Sequence, residues 1–275
     1  MRAGLVAKFT NEIQIEFSAG DRINEQASVI VVGKIGGDCQ NGRDNLWTKQ
    51  LSKSNRQSKR IILDYTDHHL GAISSPMAAF YTNILPISHK AVVSSTSMAK
   101  FLAQYFNQEI TVIEDPIEIP VNPPKILTAA AHSTLLWFGH ATNTLYLVNY
   151  LQNDFLCDAD FRLIALSNGA GLDMLASNQP RLRSITKLHL AEWSLQNMID
   201  ASKVSHGCLI PSNLNDPRKS GASSNRLITA FALGLPVSAD LLESYAPFSN
   251  YFHNIREEPL SIFFKNFSSY SKKLE

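Results

Sequence analysis

The sequence is short of cysteine, of charge and of long apolar runs. Its 275 residues include three cysteines, Cys39, Cys157 and Cys208, and no CxxC pair. That spacing argues against a disulfide framework or a zinc knuckle and fits a reducing compartment. Charged residues make up 18% of the chain and the formal net charge is +1. Neither a polybasic nucleic-acid surface nor an acidic tail is therefore expected. No run of about 18 apolar residues occurs, so no membrane span is expected. The N-terminal stretch MRAGLVAKFTNEIQIEF carries charges too early and too often for a signal peptide. Internal repeats and low-complexity tracts are absent. The glycine-rich stretch 34–44 lacks both a GK[ST] ending and GxGxxG spacing, so it is neither a P-loop nor a dinucleotide fingerprint.

What is present is 44% hydrophobic residues, enough for one large core or two medium ones. Residues 3–17 hold two alternating pieces, GLVAKF and EIQIEF, which fit one strand or a hairpin. The run 27–33 (ASVIVVG) is continuous and β-branched, as in a strand covered on both faces. Further short apolar strands are expected at 61–63, 90–95, 109–114, 134–138, 161–166, 184–190, 206–210 and 236–239. Helices are expected at 46–58, 78–85, 97–105, from about 144 to 153, at 195–202, 226–233 and 259–270. This alternation predicts parallel sheets with helices on both faces. Residues 115–125 (DPIEIPVNPPK) hold four prolines in eleven positions and read as an extended linker. The chain thus divides into a Rossmann-like domain at 1–120, a second at 126–258 and a C-terminal helix at 259–275 that packs back on the first.

The most informative stretch is 211–240. A polar loop offers Lys219, Ser220, Ser223, Ser224, Asn225 and Arg226, then a largely apolar helix runs to Leu233. Ser223 or Ser224 is the expected N-cap, Gly234 the C′ glycine, and Pro236 prevents continuation. Free N–H groups at a buried helix start favour an anion, and Lys219 and Arg226 add positive charge. A capped core helix beside two exposed cations accounts for the same residues. Upstream, Asp64, Asp67 and His68 follow a buried strand, where open α/β sheets bind ligands. They suit a general base, or plain turn chemistry.

Several motifs in this order resemble the GT-B glycosyltransferases, in particular the broad group-1 type of bacterial surface-polysaccharide clusters. They are ILDYTD at 62–67, VVSSTSMA at 92–99, VIEDPIE at 112–118, LLWFGHATN at 135–143, IPSN at 210–213 and SSNRLITAFALGLPV at 223–237. The resemblance implies two doubly wound α/β domains facing a cleft. It implies a nucleotide-sugar donor held mostly by the second domain. The donor would meet Gly139 and Asn143 on the first loop, Glu192 and Trp193 near the base, and Lys219, Ser223, Ser224, Asn225 and Arg226 at the ribose and diphosphate. Asp67, His68 and His140 are the implied catalytic positions. The acceptor would be a glycan or a lipid-linked sugar, with no metal or other cofactor and no nucleic acid. The location would be cytoplasmic or peripheral at the inner face of the membrane, alone or with a protein partner.

The departures are specific. Retaining relatives place a pair of glutamates around this loop and helix, whereas Gly221 and Thr229 stand near those positions here. Stereochemistry is therefore open. A noncatalytic GT-B-like protein that binds a nucleotide or glycan and supports another transferase fits the same departures, and an epimerase of the same architecture is a third reading. Asp158-Ala159-Asp160 forms a DxD, but it precedes a strand rather than following one, which reads as a solvated turn. His68–His69 lacks a third metal ligand at useful spacing.

Overall fold

The computed structural model describes residues 22–35, 39, 41–70, 77–125, 133–153, 155–182, 184–216, 219 and 221–275. The strand or hairpin expected at 3–17 lies outside the described residues, as does Ser220. The chain divides into two compact units. The first is Met1–Pro116 with Asp216–Ser223, and the second is Ile117–Asn215 with Ser224–Glu275. Both are α/β with parallel sheets, as the alternation predicts.

In the first unit, β1 (Val29–Val32), β2 (Arg60–Tyr65), β3 (Lys90–Val93) and β4 (Glu109–Val112) lie side by side in chain order. The crossovers carry α1 (Asp44–Arg56), α2 (Ala78–Ile84) and α3 (Thr96–Leu102). Ile61, Leu63 and Tyr65 alternate along β2 into a core shared with Phe80, Tyr81, Ile84, Met98 and Leu102. The β1 strand is not covered on both faces. Among the described residues it pairs only with β2, and Val31 is 61% exposed. An edge strand has one neighbour, so its apolar run does not imply burial.

The second unit is built on six parallel strands in the order β10-β9-β8-β5-β6-β7. These are β5 (Thr134–Phe138), β6 (Phe161–Ser167), β7 (Ile185–Glu192), β8 (Gly207–Ile210), β9 (Val237–Ala239) and β10 (His253–Asn254). The helices are α4 (Ala141–Leu151), α5 (Gly169–Asn178), α6 (Leu195–Val204), α7 (Asn225–Ala232), α8 (Leu260–Lys265) and α9 (Phe267–Lys272). Every residue of β5 and β8 is buried, as their unbroken apolar runs require in a sheet covered on both faces. The order reverses beside β5, so right-handed crossovers to its two sides fall on opposite faces. The gap between β5 and β8 is therefore a topological switch point, where such sheets open a ligand crevice at their carboxyl ends.

The C-terminal segment corrects an expectation. Leu260, Phe263 and Phe267 are buried in the second unit's own core with Leu135, Phe161 and Leu209. Phe263 packs edge-on against Phe267 at 4.7 Å, and the segment stays where these rings find cover. Among the described residues no helix is long and apolar enough to cross a membrane.

The proline-rich segment is fastened to the second unit. Asn122 N–H donates to the Ala232 carbonyl (2.7 Å) and Lys125 N–H to that of Gly234 (3.0 Å). Lys125 Nζ reaches the Ser205 carbonyl at 2.8 Å. Gly234 closes α7 with φ at +73°. Its N–H returns to Phe231 and that of Leu235 to Ala230, the paired bonds of a Schellman cap. A side chain there meets two obstacles at once, the left-handed backbone and the Pro123 carbonyl oxygen 2.3 Å from any Cβ. Gly234→Ala is expected to lower stability by roughly 2 kcal/mol or more in urea denaturation.

A second expectation concerns acid. His253 is 1% exposed. Its Nδ1 is 2.8 Å from the Ser238 hydroxyl, and its ring packs between Phe263 and Tyr270. Burial pushes its pKa down to about 4, below the unfolded value of about 6.5. The neutral ring therefore supports the fold above about 6.5. That support is lost as pH falls through 6.5 toward 4. The unfolding free energy should decline across this window, and His253→Gln should flatten the decline.

Candidate functional site

The carboxyl ends of the second unit's strands bring several predicted residues to one edge. β5 ends at Phe138, and Gly139 and His140 follow before α4 begins. β6 ends at Ser167, level with Glu192 at the end of β7. Trp193, 44% exposed, donates its N–H to the Ser167 carbonyl at 2.8 Å. Glu192 is exposed, and its carbonyl accepts from Asn197 Nδ2 at 2.8 Å.

Arg226, in the first turn of α7, reaches back across the switch point. Its Nη2 donates to the Phe138 carbonyl at 2.7 Å. The guanidinium lies 5.9 Å from the Trp137 ring centre and 5.7 Å from that of Phe138. Its Nε is buried without a partner. Among the described residues no carboxylate pairs with it, and desolvation pulls its pKa down. A desolvated cation lacking a counter-charge favours an anion close by. Gly139 leaves the approach open. A Cβ there would lie 3.1 Å from Trp137, 3.4 Å from Arg226 Nη2 and 3.4 Å from the Asn143 Cβ. Gly139, Asn143 and Arg226 are thus brought together as the resemblance implies.

The two helix starts at this edge differ. At α4, Ala141 N–H donates to Asn168 Oδ1 (2.8 Å) and Thr142 N–H to His140 Nδ1 (3.3 Å). The chain caps itself there, and His140 is the N-cap residue. Its ring is exposed at this edge, with Nδ1 on the first turn of α4. At α7, Ser224 holds the N-cap position, yet its side chain makes no capping bond. Asn225 is the exposed first residue of the helix, and Ser223 is half-buried shortly before it. A helix start beside a desolvated guanidinium that no carboxylate pairs with among the described residues favours an anion.

Beside this edge the structure builds a charged brace. Asp240, fully buried after β9, accepts from Ser212 N–H at 2.6 Å and pairs with Arg256. Arg256 Nη2 also donates to the Ser212 carbonyl at 3.2 Å. Burial raises the Asp240 pKa, against the opposing pull of Arg256 and the Ser212 amide.

In the first unit, Asp67 follows β2 and forms an ion pair with Lys34. His69 Nε2 lies 4.0 Å from the same carboxylate, and its ring stacks on Tyr81 at 5.5 Å. Burial works to raise the Asp67 pKa, but Lys34, His69 and Lys219 together hold it below the usual carboxylate range. Asp67 is therefore ionised at neutral pH. His68 does not join it. It is 4% exposed, 3.3 Å from the Tyr65 hydroxyl through Nδ1 and packed 5.2 Å from Phe101. That is a core histidine whose pKa burial lowers, and its neighbour His69, 7% exposed, is buried as well. Lys219 belongs with Asp67 in the first unit, apart from Arg226 in the second.

Sequence reasoning did not single out Lys34, His69, Asn168, Asp240 or Arg256 as site residues. Asn168 carried the clearest signal, an Asn directly after a strand and before a Gly-Ala-Gly helix start.

With this geometry in hand, comparison with solved structures is decisive for the fold. Sucrose-phosphate synthase from Thermosynechococcus elongatus matches with a TM-score of 0.58 at 12% identity, over 90% of this chain and 69% of that one. An alpha-glucosyltransferase in complex with UDP and a 13-mer DNA containing a HMU base matches with a TM-score of 0.58 at 11% identity, over 89% and 71%. The alpha-glucosyltransferase (AGT) in complex with UDP matches with a TM-score of 0.52 at 12% identity, over 90% and 75%. The fold is GT-B. No protein-family model matches the chain, and no curated protein matches it by sequence.

The GT-B second unit depends on the Asp240 brace at its carboxyl edge. Replacing Arg256 with Met should cost roughly 2–3 kcal/mol at pH 7, because it strands a buried carboxylate. Asp240 has a raised pKa, so its protonated form is the better tolerated. The loss should therefore shrink as the pH is lowered toward the carboxylate range, and Arg256→Met/Asp240→Asn should recover part of it. Urea titrations at several pH values read all three effects.

Proposed function

We propose that this chain is a glycosyltransferase that moves a sugar from a nucleotide-sugar donor to a glycan or lipid-linked acceptor. The observation that carries the reading is Arg226. Its guanidinium is desolvated at the switch point of a GT-B second unit, one N–H is spent on the Phe138 carbonyl, and among the described residues no carboxylate pairs with it. In this reading the donor diphosphate sits against Arg226 and the start of α7, with Ser223, Ser224 and Asn225 around it. Breaking the bond between the anomeric carbon and the phosphate oxygen places the electron pair on the diphosphate. Arg226 and the α7 N–H groups meet that charge, which makes the reaction metal-independent. Gly139 keeps the backbone bare where the donor approaches. Glu192 and Trp193, further along the same edge, suit the base and ribose.

Asp67 is the group on the acceptor side. Held ionised by Lys34, His69 and Lys219, it orients the acceptor hydroxyl and takes its proton once the bond to the sugar is well advanced. A carboxylate with a lowered pKa is a weak base, so orientation is its larger part. Synthesis of a surface polysaccharide, in the cytoplasm or at the inner face of the membrane, is the setting we assign.

UDP is the first probe, since the alpha-glucosyltransferase (AGT) of the same fold is described in complex with UDP. At about 100 times its Kd, a ligand that binds only the folded protein adds about 2.7 kcal/mol, a shift of about 5 °C or more in Tm. Wild-type protein should show that shift with UDP or another nucleoside diphosphate, and Arg226→Met should lose most of it. A folded sample that no nucleoside diphosphate stabilises would end the transferase reading.

A further inference from the structure

Gly139 leaves the approach to Arg226 open, and the same glycine gives the loop after β5 a backbone free to move. The second unit holds that loop still from the end of β6. Three successive peptide groups are each bound there. Gly139 N–H donates to the Leu166 carbonyl at 3.0 Å. The Ser167 hydroxyl donates to the Gly139 carbonyl at 2.7 Å. Ala141 N–H donates to Asn168 Oδ1 at 2.8 Å. The first of these peptides is shared with Arg226. Its other end is the Phe138 carbonyl, which accepts from Arg226 Nη2 at 2.7 Å. Turning that peptide would carry the guanidinium with it or break its bond. Ser167 also reaches the opposite way. Its carbonyl accepts from Trp193 N–H at 2.8 Å, so one residue spans the loops after β5 and β7. Asn168 stands at the N-cap position of α5, yet its side chain makes no capping bond to that helix. Capping its own helix is the usual work of an asparagine there. Here the carboxamide serves the neighbouring loop instead.

We propose that Ser167 and Asn168 are positioning residues that set the Phe138–Gly139 peptide for Arg226 and fix its spacing from Trp193. The functional meaning of this rests on the reading above, in which one nucleotide sugar meets Arg226 through its diphosphate and Trp193 through its base or ribose. The bonds themselves do not depend on that reading. The two ends of one ligand are joined covalently, so the two seats must stand at a matching separation before it arrives. Holding them there in advance removes an ordering cost from binding. Ser167 is fully buried, so it acts through the loops it holds and not by contact with the donor. Asn168 adds a second hold two peptides further along. With Oδ1 committed to Ala141, it keeps the Gly139 loop from swinging away from β6.

The test follows hydrogen exchange in the full chain labelled with 15N. The Arg226 Nε–H signal is assigned through Arg226→Lys. Ser167→Ala should speed its exchange, and that of the Gly139 and Trp193 amides, about tenfold more than it speeds the amides of β8. The β8 amides report opening of the whole sheet, which a merely structural loss would raise equally. Asn168→Ala should speed exchange at the Ala141 amide and, less strongly, at Arg226. Asn168→Asp keeps an acceptor oxygen and should restore both. Asn168 is exposed, so its variants carry the test if Ser167→Ala does not fold. An Arg226 signal unmoved in either folded variant, or equal acceleration at every site, would overturn the proposal. UDP affinity supplies a separate arm. Ser167→Ala should weaken UDP binding by about tenfold, and by less than that in an Arg226→Met background. Equal losses in the two backgrounds would show that Ser167 does not act through Arg226 and would also overturn it. If wild-type protein binds neither UDP nor any other nucleoside diphosphate, the transferase reading fails and exchange still decides the positioning role.

Discussion

A single hydrogen bond from Arg226 to the Phe138 carbonyl organises the second unit's functional edge. It joins the last residue of the central strand to the first turn of α7, three crossovers beyond α4. Because β5 lies at the reversal in strand order, this bond sits where a parallel sheet must part its crossovers. The rings of Trp137 and Phe138 flank the guanidinium. What those rings remove in hydration, one carbonyl restores only in part. The rest of the edge is arranged around that deficit. Gly139 adds no side chain over it, and α4 caps its own N–H groups through His140 and Asn168.

Two charges on this edge show how environment separates structural from functional groups. Asp240 is more deeply buried than Arg226, but it has Arg256 and the Ser212 amide as partners, so its charge is consumed in holding the loop after β8. Arg226 has one carbonyl and, among the described residues, no carboxylate partner. Both groups have shifted pKa values, and the shift alone does not distinguish them. The partners do, and on that ground Arg226 is the residue we propose for the site.

The fold was legible because apolar runs and their spacing report strands buried on both faces. TLLWF and HGCLI became the fully buried β5 and β8. Burial did not follow from the same signal at β1, where Val29 and Val31 are exposed. The helix Gly169–Asn178 was not anticipated. Its opening Gly-Ala-Gly resembles a loop, yet Gly171 is there for packing, with Ser167 Oγ 2.1 Å from where its Cβ would stand. Among site residues, Gly139, Asn143 and Arg226 were legible through motif order. The sequence does not show that His68 and His69 are both buried, because that follows from the packing of Phe101 and Tyr81 against them. Asp240 and Arg256 meet through tertiary contact across 16 positions, which no local pattern records.

The excursion of Asp216–Ser223 bears on how such proteins diversify. A two-domain chain whose halves are contiguous in sequence can exchange one half by recombination at the linker. Here the half that follows the linker carries a short piece of its neighbour's surface, matched to Ser95 and Met98. A chimaera joined at the proline segment would inherit a turn shaped for a partner it had lost. Sequence after the linker thus carries Gly221, whose partners Ser95 and Met98 stand before it.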